Sequence, residues 1–100
     1  MGALTRQTDS PAGQVRLRYW AGARAAAGVT EDLVEVPGSC TLEDLKARVL
    51  ELHGSSARFA AILGTCSVLV DDLPVGSEDP RSVGVSAGQT VEFLPPFAGG

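Results

Sequence analysis

From Val15 the chain alternates apolar and polar residues, with Val15, Leu17 and Tyr19 set against Arg16, Arg18 and Trp20. A period of two predicts a strand with one face on a core. Residues 23–27 form a short alanine-rich helical turn that Gly28 closes, and 33–36 predict a second strand that ends at Pro37-Gly38. The clearest element is a helix over 42–53, where Leu42, Leu45, Val49 and Leu52 recur as one apolar stripe. Thr41 is placed to cap it, and Asp44, three residues on, completes a capping-box-like pair. Asp44 and Arg48 face each other across one turn on the wet side, and Gly54 stops the helix. A second short helix is expected over 58–63. A third strand follows over 66–70, and Asp71-Asp72 turns it into the short run Leu73-Pro74-Val75. Residues 76–88 are rich in turn formers and read as irregular, and 90–94 alternate again as the last strand.

Strand, strand, helix, strand, short strand, strand describes an α+β fold in which one main helix covers one face of a mixed sheet. A β-grasp topology satisfies that order, with the crossover through the helix expected to make its flanking strands parallel neighbours. Residues 14–94 are expected to be the domain. Residues 1–13, which end in Asp9-Ser10-Pro11-Ala12-Gly13, read as a flexible N-terminal extension, and 95–100 as a flexible C-terminal tail.

Composition narrows the function. One hundred residues with 44% hydrophobic and 20% charged side chains suit one globular domain. The net charge of -4, without a run of Lys or Arg, argues against nucleic acid or an anionic membrane as partner. No apolar stretch approaches the roughly 20 residues that span a bilayer, and the N-terminus has no signal-peptide core, so a cytoplasmic location is expected. Cys40 and Cys66 are then expected to be free thiols, and with His53 the single histidine, no metal site is expected.

Catalytic readings lack parts. No glycine spacing matches a phosphate-binding loop, and Cys40, Cys66 and His53 sit in no nucleophile–base signature. Cys40 reads as a staple packing toward Leu45, Cys66 as a small core or edge residue, and His53 as a partner of the helix dipole. The tail stands apart. Pro95-Pro96 stiffens the exit from the last strand, and Phe97-Ala98-Gly99-Gly100 follows. Six extended residues reach roughly 20 Å, and glycines without Cβ atoms can thread a narrow channel.

Two segments, Tyr19-Trp20-Ala21-Gly22-Ala23-Arg24 and Val91-Glu92-Phe93-Leu94-Pro95-Pro96-Phe97-Ala98-Gly99-Gly100, make the chain resemble the MoaD/ThiS family of ubiquitin-like sulfur carriers, closest to its molybdopterin synthase small-subunit branch. The resemblance implies that an enzyme similar to ubiquitin-activating enzymes adenylates the Gly100 carboxylate with ATP, and that sulfur then converts it to a thiocarboxylate. It further implies that Pro95, Pro96, Phe97, Ala98, Gly99 and Gly100 enter a synthase large subunit, where the sulfur builds the dithiolene of molybdopterin. No stably bound cofactor is implied, and the chain is not catalytic alone.

Alternation also suggests where a partner docks. If Val15, Leu17, Tyr19, Val68, Val70, Val91 and Phe93 face the helix, then Trp20, Leu69 and Leu94 lie on the open face of the sheet. Exposed apolar side chains of this kind mark partner sites. The resemblance assigns Trp20 and Leu94 to the family's interface, and Arg24 belongs to the same motif. Other clients of a sulfur carrier (thiazole, cysteine, tRNA thiolation), a modifier joined to lysines, and a passive binding module remain as alternative readings.

Overall fold

The computed structural model describes residues 13–96; the expected extension and Phe97-Ala98-Gly99-Gly100 lie outside them, save Gly13. Strand β1 (Gly13–Tyr19) buries Val15, Leu17 and Tyr19 and exposes the residues between, as its alternation requires. Helix α1 (Ala21–Ala27) follows and ends at Gly28, whose left-handed φ of 80° lets its N–H reach the Arg24 carbonyl at 2.9 Å. Strand β2 (Glu31–Val36) turns back antiparallel to β1, with Val34 and Val36 inward.

Strand β3 (Ser39–Thr41) leads directly into the main helix, α2 (Leu42–Leu52). Thr41 caps it: the Asp44 N–H donates to the Thr41 Oγ1 at 3.0 Å. Leu42, Leu45 and Val49 are buried against the sheet. Leu52, the fourth member of the expected stripe, is 58% exposed, because the helix has passed the edge of the core by its last turn. Arg48 does not form the expected pair with Asp44; its Nη1 donates to the carbonyl of Glu35 on β2.

Helix α3 (Ala57–Thr65) extends the short helix expected over 58–63, because the Ser56 hydroxyl accepts from the Phe59 N–H at 3.2 Å and starts it early. Phe59 and Leu63 fill the core from it. Strand β4 (Ser67–Val70) and the two-residue β5 (Leu73–Pro74) form a tight hairpin in which Asp71 and Asp72 both take positive φ. The irregular stretch contains a short 3₁₀ turn (Pro80–Ser82) and a strand, β6 (Gly84–Ser86). β6 pairs antiparallel with β3, so Cys40 lies opposite Val85 in a two-stranded ribbon and packs against the core. Strand β7 (Thr90–Leu94) closes the chain.

The main sheet runs β2-β1-β7-β4-β5, with β1 parallel to the central strand β7 and every other neighbouring pair antiparallel. This corrects one expectation: the strands flanking the main helix, β2 and β4, are not neighbours, because β1 and β7 are inserted between them. The arrangement is a β-grasp, with the helices gathered on the face that buries Leu17, Val91 and Phe93. Among the described residues no helix is long and apolar enough to cross a membrane.

Candidate docking face and tail exit

The open face of the sheet is built by parity. β7 buries Val91 and Phe93 and therefore turns Glu92 and Leu94 the other way; β4 buries Val68 and turns Leu69 the same way. Register sets Leu69 beside Glu92, and Glu92 beside Arg18. One residue beyond the Tyr19–Phe93 pair, Trp20 stands beside Leu94, tied there by its backbone N–H, which donates to the Phe93 carbonyl at 3.2 Å. Trp20, Leu69 and Leu94 thus share one face, as alternation predicts, and Trp20 is 37% exposed.

The face is not purely apolar. Glu92, with a side chain only 15% exposed, accepts from the Trp20 indole Nε1 at 3.3 Å and lies 3.7 Å from the Arg18 Nη1. The Arg18 guanidinium lies 5.0 Å from the indole centroid, within cation–π reach. One carboxylate therefore holds an arginine and a tryptophan against each other, restricting the indole. This cluster was not anticipated, although Arg18, Trp20 and Glu92 share the parity that turns all three to the open face.

Trp20 is also held by backbone. Its carbonyl accepts from the Ala23 N–H at 2.9 Å and from the Arg24 N–H at 3.3 Å, so it caps α1. The next residue, Ala21, has φ of 47°, a left-handed conformation that costs a side-chain-bearing residue about 1 kcal/mol. That kink turns the chain from strand to helix in one step. Arg24 sits one turn into α1, exposed and without an ion-pair partner among the described residues; it adjoins Trp20 along the chain but belongs to the helix and not to the sheet face. Pro95 and Pro96 leave β7 beside Trp20, and lacking N–H groups they end the ladder there. Phe97, Ala98, Gly99 and Gly100 lie outside the described residues.

A second polar cluster went unforeseen. The Tyr19 hydroxyl donates to Asp32 Oδ2 at 2.7 Å, and His53 Nε2 meets the same oxygen at 2.7 Å. Burial, and secondarily the Asp32 carboxylate, pushes the Tyr19 phenol far above its ordinary range. The Tyr19 ring stacks on Phe93 and meets Phe59 edge-on, and Phe59 also takes the His53 ring edge-on at 4.9 Å. His53 is thus a cross-link between α2 and β2, beyond the helix-end role expected of it.

Neither cysteine is set up as a nucleophile. Burial pushes the Cys66 thiol up to about 11, despite a small opposing effect of Lys46, and its Sγ donates to the Ile62 carbonyl at 3.3 Å. Burial raises the Cys40 thiol as well. Both are free and stay protonated at neutral pH. Among the described residues no three His, Cys, Asp or Glu side chains converge as a metal ion requires.

The model of the ThiS family matches residues 17–100. The molybdopterin synthase sulfur carrier subunit of Chlamydomonas reinhardtii is 28% identical over 87 residues, covering 87% of this chain and 99% of that protein. Among solved structures, SAMP1 of Haloferax volcanii superimposes with a TM-score of 0.72 at 20% identity, covering 88% of this chain and 100% of that one. The complex of subunits 1 and 2 of the molybdopterin-converting factor from Helicobacter pylori matches with a TM-score of 0.60 at 20% identity, covering 87% and 99%.

Proposed function

The chain belongs to the ThiS family, and from that we propose that it is a sulfur carrier acting through its Gly100 carboxylate in molybdopterin synthesis. The observation that carries this reading is the course of β7. This central strand ends at Pro95-Pro96 beside the exposed Trp20, and the family match continues to residue 100.

The chemistry follows from what the chain has and lacks. A carboxylate is a poor electrophile, so a separate activating enzyme must first join it to AMP from ATP, with loss of pyrophosphate. Hydrosulfide displaces AMP and leaves a thiocarboxylate directly, whereas a persulfide donor leaves an acyl disulfide that a thiol then reduces to the same product. Docking a large subunit on Trp20, Leu69 and Leu94 would aim the tail into that partner, where the sulfur passes to a cyclic pyranopterin. Arg24 is the polar contact next to this patch. No resident cofactor is required, and ATP is consumed by the activating partner. The name of the Chlamydomonas relative and the two-subunit Helicobacter complex support the client and the large subunit.

A second reading is supported by SAMP1, whose H. volcanii and Methanosarcina acetivorans structures bear the name small archaeal modifier protein 1. A modifier shares the activation step and differs only in the fate of the acyl group, which goes to an amine. Reconstitution separates the two. Thiocarboxylated protein with a cognate large subunit should convert the pyranopterin precursor to its dithiolene product, and neither protein alone should. Stable amide bonds to lysines without that conversion would favour the modifier.

A further inference from the structure

The two edges of the main sheet differ. β5 offers two residues, one of them Pro74, which lacks an N–H and so blunts that edge. β2 offers six residues without a proline, and among the described residues no strand lies beyond it. The bond from the Tyr19 N–H to the Thr30 carbonyl fixes the alternation of the β1–β2 ladder. Residues in step with Thr30, namely Asp32, Val34 and Val36, turn their main-chain groups to β1, and Glu31, Leu33 and Glu35 turn theirs outward. Arg48 corroborates this, since its guanidinium takes the Glu35 carbonyl from the α2 side. Two apolar side chains that the core does not use flank this edge on opposite faces: Leu33, 50% exposed, beside Arg16 on the open face, and Leu52, 58% exposed, on α2.

Charge decides what fits there. Glu31 and Glu35 flank Leu33 along the edge, Glu35 and Glu51 line the groove between the edge and α2, and Arg48 is the one base among the groove's lining residues. Arg16 offsets Glu31 in part, at 3.6 Å, while Glu35 has no ion-pair partner among the described residues. A second copy is a poor occupant. Pairing Leu33 with the Leu33 of another copy sets Glu31 against Glu35, and like charges directly opposite are unfavourable. Sliding that register by two residues sets Leu33 against Glu35 and Glu31 against Pro37, which cannot donate.

We infer that the outer edge of β2 binds an extended segment of another protein as a sixth strand, with an apolar residue opposite Leu33 and basic residues two positions to either side, opposite Glu31 and Glu35. Strand addition of this kind takes affinity from main-chain hydrogen bonds and specificity from alternate side chains. The residues between the basic and central positions face α2 and cover Leu52 and Val34. Arg48, on the Glu35 carbonyl, ends the added ladder at that side. β1 separates this edge from Leu94 on β7, and the two surfaces meet only through Arg18, which lies opposite Glu31 and against the Trp20 indole.

The test is an NMR titration of the full chain with the capped peptide Lys-Ile-Val-Ile-Lys and its counterpart Glu-Ile-Val-Ile-Glu. The basic peptide should shift the Leu33, Glu35 and Leu52 resonances, slow exchange of the Leu33 amide, and bind roughly ten-fold more tightly than the acidic one. Glu35→Lys should narrow or reverse that preference while leaving the Tyr19 and Phe93 core signals in place. Four results would overturn the inference: no shift with either peptide, equal binding of both, shifts confined to Trp20 and Leu94, or a Leu33 amide already slow to exchange in the free protein. The last would mean that residues 1–12 or a second copy already occupies the edge.

Discussion

The Trp20 backbone N–H donates to the Phe93 carbonyl at 3.2 Å, which fixes an exposed indole at the point where β7 passes into Pro95-Pro96. The proposed docking surface and the Pro95-Pro96 exit are therefore tied by backbone, so a partner docked on Trp20 would also meet the start of the tail.

Replacing Trp20 or Leu94 by alanine should then weaken large-subunit binding more than folding. Truncated anchors of this kind commonly cost about 2 kcal/mol or more in affinity. Calorimetric titration beside a thermal melt checks it. A collapse of stability with unchanged affinity per folded molecule would make Trp20 a core residue. Glu92→Gln should keep the fold and lose several-fold in affinity, because the indole and Arg18 lose the charge that holds them together.

The shared Asp32 oxygen predicts an asymmetry. Tyr19→Phe removes one hydrogen bond and leaves His53 on Asp32, at about 1 kcal/mol. Asp32→Ala strands both a buried phenol and His53, and should cost about 1–3 kcal/mol. Chemical denaturation of the two variants measures the difference. Equal costs would mean the cluster is not a unit.

The alkaline limb of stability follows from the raised Tyr19 phenol and Cys66 thiol. Both hold their protons more tightly folded than unfolded. Their contribution is therefore complete below the unfolded values and fades as pH rises from the ordinary thiol range through about 11 for Cys66. Melting temperatures measured from neutral to strongly alkaline pH should fall across that window, and Cys66→Ser should flatten its first part. Iodoacetamide should label Cys66 slowly at neutral pH.

Leu45→Ala and Val49→Ala should cost about 2–4 kcal/mol, whereas Leu52→Ser should cost little, although all three lie on one helical stripe. Urea denaturation ranks them. A large loss at Leu52 would place it in the core.

That contrast shows where the sequence was legible. β1, β7 and the face carrying Trp20, Leu69 and Leu94 follow from alternation alone, and Thr41 marks the start of α2. Periodicity identified the stripe on α2 but not where the sheet beneath it ends, so Leu52 was misjudged. β3 and β6 were missed because Ser39-Cys40-Thr41 and Gly84-Val85-Ser86 each offer one apolar residue, too few for a period. Tyr19, Asp32 and His53 meet across separations of 13 and 21 residues, and no local pattern encodes a contact made only after β1, β2 and α2 have packed.

The central claim is that Gly100 is the reacting residue. Intact-mass spectrometry of the untagged protein, after incubation with its activating enzyme, ATP and a sulfur source, tests it most directly. The account predicts a mass gain equal to sulfur replacing one oxygen, located at the C-terminal residue by fragmentation and abolished when residues are added after Gly100. An unchanged mass with the enzyme demonstrably active, or sulfur found on Cys40 or Cys66 instead, would contradict it.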